Sequence, residues 1–168
     1  MLRELSDAIL RHGTDYRFCT VLYLRLTPTS TGFDACVGTG GHPLPLLLRT
    51  DGTVELVGRP GTLLGVVAEP VISETSVRLR AGDALVLYTD GVIEASPLDD
   101  AFGPSQLASF IGGCTGKDAG RIAAGIERRV LEVQEGRLRD DVAVVVLRAS
   151  PASAAPFVPA REGVAARS

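Results

Sequence analysis

The chain has 168 residues, of which 45% are hydrophobic and 22% are charged, a composition that fits one folded domain and excludes a mainly disordered polymer. The formal net charge is −3 and the basic residues are scattered along the chain, which argues against a nucleic-acid-binding surface. The longest apolar runs fall far short of the ~20 residues that span a bilayer, and no signal peptide opens the chain. We therefore expect a cytoplasmic protein with no membrane segment.

Apolar periodicity predicts a helix, six strands, two helices and a final strand, in that order. The predicted helices cover residues 2–12, 104–111 and 118–135. The predicted strands cover residues 18–26, 33–37, 45–49, 53–57, 71–79, 84–88 and 142–147, with a turn over 27–32. Elements segregated in this way are typical of an α+β protein and not of a doubly wound one.

Residues 149–168 differ in composition from the rest of the chain. They consist mostly of Ala, Pro and Ser and have no apolar period, which is typical of segments that form no core. We therefore predict one domain over residues 1–148 and a disordered tail over residues 149–168.

Carboxylates stand at the ends of two predicted strands. Asp90 closely follows the strand over 84–88, and Asp140 and Asp141 directly precede the strand over 142–147. If these strands are antiparallel neighbours, the two ends lie at one edge of a sheet. Carboxylates are the ligands that Mg²⁺ and Mn²⁺ prefer. The alternative is an ordinary turn beside a pair of solvated or capping aspartates, and the residues by themselves leave both interpretations open.

Other catalytic signatures do not occur in the sequence, including a phosphate-binding glycine-rich loop, a dinucleotide fingerprint and a serine nucleophile elbow. His42 lies in a Gly-Gly-His-Pro segment and could be a general acid or a ligand. A loop histidine that packs and hydrogen-bonds its own backbone is the interpretation that we favour. We therefore predict no catalytic side chain.

Four segments, taken together, carry a family resemblance. They read GGHPLPLLL over residues 40–48, LLG over 63–65, LVLYTDGVIEA over 85–95 and RDDVAVVV over 139–146. In this order and spacing they resemble the bacterial PPM phosphatases, and more narrowly the branch of SpoIIE and RsbU. Members of that branch are metal-dependent protein serine/threonine phosphatases that act on phosphorylated anti-anti-sigma (STAS) proteins. The resemblance implies an αββα sandwich, in which antiparallel sheets are flanked by helices.

The resemblance also implies a metal centre. It implies that Asp90 and Asp140 are ligands of a dinuclear Mn²⁺ or Mg²⁺ centre, with Asp141 at the adjacent position. Family members begin with a Gly-Asp-x-x-Asp strand and an Asp-x-x-Gly-His-Gly segment, and neither motif occurs in this sequence. We therefore expect a sandwich without its N-terminal strands and a metal centre that is partial or absent. A truncated sequence of an active enzyme and a short paralogue are both consistent with this pattern.

Two functions follow from the resemblance. The first is hydrolysis of phosphoserine or phosphothreonine on a regulatory protein, such as a STAS-domain anti-anti-sigma factor, by two metal ions that activate water. The second is that of a catalytically deficient module that binds a partner in sigma-factor regulation. The residues alone also allow a β-rich structural domain whose aspartates only form turns. Because missing strands leave an unpaired sheet edge, we further expect homodimerisation through that edge.

Overall fold

Two antiparallel sheets and three α-helices make up the described part of the chain, which in this computed structural model is residues 2–12, 18–94, 102–134 and 140–150. The helices are α1 (Leu2–His12), α2 (Pro104–Gly112) and α3 (Ala119–Val133). The strands are β1 (Val21–Thr29), β2 (Gly32–Gly40), β3 (Leu46–Leu48), β4 (Val54–Leu56), β5 (Ser73–Arg80), β6 (Ala84–Tyr88) and β7 (Val144–Arg148). The predicted element order and the α+β class are confirmed.

Strand pairing divides the strands into two sheets. One sheet has the order β1-β2-β5 and the other the order β4-β3-β6-β7. The hairpin of β1 and β2 pairs Val21 with Gly40 at one end and Thr29 with Gly32 at the other. The turn lies within the predicted range of 27–32 but is shorter, at residues 30 and 31, because both strands continue into that range. Proline has no N–H to donate to a neighbouring strand. Pro28 is tolerated within β1 because β1 is an edge strand, so the sheet loses no hydrogen bond there.

The two sheets face each other across an apolar layer. Its buried members are Ala35, Val37, Leu47, Val57, Leu79, Leu85 and Ala149. Successive residues of a strand point to opposite faces, so in β6 Leu85 enters this layer while Val86 packs under the helices. As predicted, β6 is buried on both faces.

Helices cover the outer faces of the sheets. Helix α3 places Ile122, Ile126 and Val130, all fully buried, against the four-stranded sheet. Helix α1 lies on the three-stranded sheet, where a Leu2 methyl group would lie 3.6 Å from a Cβ added at Gly38 of β2. Its Ser6 hydroxyl accepts a 3.0 Å hydrogen bond from the backbone N–H of Gly65, in the loop between β4 and β5. The layers are therefore helix, sheet, sheet and helix, as in the expected αββα sandwich.

The C-terminal end of the described chain is part of the fold. Ala149 is buried, its N–H donates to the Asp83 carbonyl over 2.9 Å, and its carbonyl accepts from the Gly82 N–H over 2.7 Å. The ordered backbone thus continues into the segment predicted as tail. Residues 151–168 lie outside the described residues, so the tail itself remains a prediction. None of the described helices is long and apolar enough to cross a membrane.

Candidate metal site

Strands β6 and β7 lie side by side and run antiparallel. Their register pairs Tyr88 with Val144, so the C-terminal end of β6 and the N-terminal end of β7 meet at one edge of the sheet. Asp90 comes two residues after β6, and Asp140 and Asp141 come shortly before β7. The structure therefore brings the two aspartate-bearing segments together.

Gly91 lies close against the Asp140-Asp141 segment. A Cβ atom at this position would lie 2.6 Å from the carbonyl oxygen of Asp141 and 3.4 Å from the Cβ of Asp140. The first distance is shorter than any van der Waals contact, and its partner is backbone that cannot rotate away. Only glycine allows this approach.

Thr89 joins the two segments by hydrogen bonds. Its hydroxyl donates to the Asp141 carbonyl over 2.9 Å and accepts from the Ala143 N–H over 2.9 Å, and its own N–H donates to the Ala143 carbonyl over 3.1 Å. Sequence reasoning missed this role. The feature of the sequence that could have indicated this role is a residue with a hydroxyl group between a buried strand and an Asp-Gly pair.

The three candidate carboxylates are exposed at this edge. Asp90 Oδ1 accepts a 3.1 Å bond from the Gly91 N–H, and Asp140 Oδ1 accepts a 2.7 Å bond from the Asp141 N–H. Asp90 also begins a short 3₁₀ turn, in which its carbonyl accepts from Ile93 and Glu94. The carboxylates of Asp90 and Asp140 are therefore each oriented by a hydrogen bond from the N–H of the next residue.

The possible metal ligands at this edge are all oxygen atoms, which suit a cation that prefers oxygen, but they are few. Carboxylates and carbonyls bind Mg²⁺ and Mn²⁺ without softer ligands. However, within residues 2–12, 18–94, 102–134 and 140–150 no group of three or more His, Cys, Asp or Glu side chains is arranged to hold a metal. Asp90, Asp140 and Asp141 are therefore not arranged as a three-ligand group in this structure, and by themselves they do not fit a dinuclear centre. Their role as ligands remains a prediction.

A cavity of about 360 Å³ opens beside this edge, between β1 and the paired strands β6 and β7. It is lined by Thr20, Val21, Leu22, His42, Leu87, Tyr88, Thr89, Ala143 and Val145. His42 Nδ1 lies 3.1 Å from the Pro43 carbonyl, and because a carbonyl only accepts, Nδ1 carries the proton. The predicted bond of His42 to its own backbone is confirmed. Burial raises the pKa of the Tyr88 phenol, so this side chain is neutral at physiological pH.

The chain is similar to proteins of one family. The profile of the family described as Stage II sporulation protein E (SpoIIE) matches residues 1–150. The phosphatase domain of the cell fate determinant SpoIIE from Bacillus subtilis, presoaked with Mn, is similar with a TM-score of 0.68 and 19% identity, covering 90% of this chain and 74% of that chain. The RsbU and RsbW domains of Rv1364c from Mycobacterium tuberculosis give a TM-score of 0.54 and 24% identity, covering 76% of this chain and 39% of that chain.

A curated relative, Protein IcfG from Synechocystis sp. (strain ATCC 27184 / PCC 6803 / Kazusa), is 25% identical over 107 residues. The match covers 63% of this chain and 17% of that protein. The chain therefore corresponds to a small part of that relative, and the structural likenesses establish the fold.

Proposed function

The chain belongs to the SpoIIE family, and from this premise we propose that it serves in the metal-dependent removal of phosphate from phosphoserine or phosphothreonine of a regulatory protein. The observation that carries the proposal is the pairing of β6 with β7, which brings Asp90 and the Asp140-Asp141 pair to one sheet edge. Oxygen ligands at an exposed edge are accessible both to a cation and to a phosphoryl group.

Each residue at the edge has a distinct part in this proposal. Asp90 and Asp140 would hold the cation, with Asp141 beside them. Bound Mn²⁺ or Mg²⁺ supplies an activated water and neutralises phosphoryl charge. Thr89 keeps the two segments in register through its bonds to Asp141 and Ala143. A dinuclear centre needs ligands in addition to these three aspartates.

The substrate that we propose is a phosphorylated STAS-domain anti-anti-sigma protein in the cytoplasm. The support is the likeness to a protein of Mycobacterium tuberculosis described by its RsbU and RsbW domains, together with the resemblance of the four sequence segments to the SpoIIE and RsbU branch. The identity of the phosphoprotein follows from the family and not from a contact in this chain.

A second candidate function is binding without catalysis. It is favoured by the small donor set, since the described residues contain no group of three metal-binding side chains and the sequence contains neither Gly-Asp-x-x-Asp nor Asp-x-x-Gly-His-Gly. Such a module would bind the phosphorylated partner and leave its phosphate in place.

The first experiment measures Mn²⁺ binding by calorimetry and Mn²⁺-stimulated hydrolysis of p-nitrophenyl phosphate. We expect Asp90→Asn and Asp140→Asn each to weaken Mn²⁺ binding by about tenfold or more, since each removes a charged ligand. Asp34→Asn is the matched control because Asp34 is an exposed aspartate of β2 that pairs with Arg78.

The results separate the candidates. Hydrolysis that needs Mn²⁺ and both aspartates supports the phosphatase. Mn²⁺ binding without hydrolysis, combined with retained binding of a phosphorylated STAS protein, supports the binding module. If Asp90→Asn, Asp140→Asn and Asp34→Asn bind Mn²⁺ as the parent chain does, the metal site is refuted.

A further inference from the structure

A groove of about 460 Å³ lies between α2 and α3, and its lining includes none of the three candidate metal ligands. Four cationic side chains and one carboxylate line it, namely Lys117, Arg121, Arg128, Arg129 and Glu132. The whole chain, by contrast, has a net charge of −3. Positive charge is therefore concentrated at this groove in a molecule whose net charge is negative.

Helical spacing places three of these cations along one stretch of α3. Arg128 and Arg129 follow Arg121 by about two helical turns, which is ~11 Å along the axis. The fully buried isoleucines and valine of α3 occupy the side that faces the four-stranded sheet. All three arginines are exposed, so their guanidinium groups are accessible to a partner at the outer surface.

Ion pairs neutralise only part of this positive charge. Arg121 pairs with Asp118 and Arg129 pairs with Glu132, in each case over 3.2 Å between exposed side chains three positions apart. Exposed pairs of this kind contribute little to stability, so both arginines can exchange their present partners for the carboxylates of another molecule. Arg128 forms no ion pair with any residue in the part of the chain that the structure describes.

Between the cations, the groove has an apolar surface. Phe110 of α2 is half-buried and stands edge-on to Phe102, with the ring centroids 6.4 Å apart. A Cβ added at Gly125 of α3 would lie 2.9 Å from Cζ of Phe110, so the missing side chain at Gly125 lets this ring lie against α3. Ala124 also lines the groove. An occupant therefore meets an aromatic ring beside the guanidinium groups.

We propose that this groove binds a short acidic segment of a partner protein, in which carboxylates flank an apolar side chain. Carboxylates form paired hydrogen bonds with guanidinium groups, and an apolar side chain between them contacts Phe110. A nucleic acid fits less well, because the cations extend over only about two helical turns, whereas specific nucleic-acid interfaces bury ~1,000–2,500 Å² of protein surface. The inference goes beyond the proposed function and does not depend on it.

The test measures the binding of fluorescent peptides to the full chain by anisotropy, in buffer without divalent cations. The acidic peptide carries glutamates on both sides of a central leucine pair, and two companion peptides replace either the glutamates by glutamine or the leucines by glycine. We expect each companion to bind about tenfold more weakly, because one loses its charge-assisted hydrogen bonds and the other loses partial burial of a leucine. Added salt should weaken binding of the acidic peptide, since salt screens exposed charges.

Two charge-matched variants locate the binding surface. Arg121→Gln combined with Arg128→Gln removes two positive charges from the groove, and we expect about tenfold weaker binding of the acidic peptide. Arg3→Gln combined with Arg11→Gln is the control, because it removes two charges from exposed positions of α1, which covers the other sheet. We expect no change in binding from this control. Glutamine is a good helix former, so both variants are expected to fold, and circular dichroism checks this.

Equal binding of the acidic peptide and either companion, or equal effects of the two variants, would overturn the proposal. So would tighter binding of an oligothymidine with the same number of negative charges, since the groove would then prefer a nucleic acid. A groove variant that changes only self-association would also overturn it, because the groove would then be an interface between copies of the chain. Since the assay contains no metal, a chain without Mn²⁺-stimulated hydrolysis can still bind the peptide, and an active phosphatase can still fail to bind it.

Discussion

At the scale of single residues, Gly91 and Thr89 determine how closely the two aspartate segments approach. Gly91 leaves no room for a side chain in front of the Asp141 carbonyl, and Thr89 bonds to that same carbonyl. Neither residue is a candidate ligand. Each positions the Asp90 segment relative to the Asp140 segment. A metal site needs such support, because loosely held ligands do not keep the geometry that a cation requires.

We predict that Gly91→Ala separates these segments and weakens Mn²⁺ binding by about tenfold or more, because the added Cβ meets the Asp141 carbonyl at 2.6 Å. Calorimetric titration with Mn²⁺ measures the effect. Gly120→Ala is the control, since its Cβ has its nearest neighbour at an ordinary 3.5 Å and lies in a helix, where alanine is favoured. Unchanged Mn²⁺ binding in Gly91→Ala would contradict the positioning role.

At the scale of elements, an ion pair connects the two sheets at the turn between β5 and β6. Asp83 is almost fully buried and accepts 2.9 Å bonds from the Arg49 guanidinium and from the Arg80 N–H. Arg49 follows β3 of the other sheet and also bonds to Glu55. Hydrogen bonds to Glu55 and Asp83 raise the pKa of Arg49, so its guanidinium is charged at neutral pH.

Removing Asp83 should therefore be costly. We predict that Asp83→Ala lowers the free energy of unfolding by about 2 kcal/mol, since it removes the buried acceptor of the Arg80 N–H and one acceptor of Arg49, which keeps its bonds to Glu55 and to the Arg78 carbonyl. Asp34→Ala removes an exposed ion pair with Arg78 and should cost less than about 1 kcal/mol. Urea denaturation followed by circular dichroism compares the two, and similar midpoints would show that the Arg49 pair contributes little.

At the scale of the whole molecule, the two sheets have edge strands that differ in their protection against pairing. Strand β1 carries Pro28, β5 carries charged side chains and β4 is short and carries Glu55. Strand β7 has an uncharged apolar run over residues 144–147. Unprotected edges recruit further strands, so β7 is the edge through which we propose that the chain dimerises.

We predict that the purified chain self-associates at micromolar concentration and that Val145→Lys shifts it toward the monomer, because a lysine on the edge opposes strand addition. Light scattering after size-exclusion chromatography measures the mass across a dilution series. Leu56→Lys on β4 controls for the added charge. A parent chain that is monomeric at every concentration would refute dimerisation.

The contribution of the sequence can be judged from particular elements. Helix α1 and strand β6 have the bounds that their apolar patterns predict, since helical and strand periodicity depends on neighbouring residues only. The hairpin turn was predicted too long, because pairing of Pro28 with Phe33 extends both strands beyond what local propensity indicates. For the site, residue type and position at strand ends made the aspartates candidate oxygen ligands, and this role remains a prediction.

The sequence by itself determined which side chains could bind a cation and which segments form helices and strands, because both depend on chemistry and spacing within a short stretch. Only the tertiary structure decided that β6 pairs with β7, that Thr89 and Gly91 control the approach of the aspartate segments, and that an apolar cavity opens beside them. These features arise from contacts between residues some fifty positions apart, as between Thr89 and Asp141. The packing of the whole sandwich determines which of these contacts form, and a local sequence pattern carries no information about that packing.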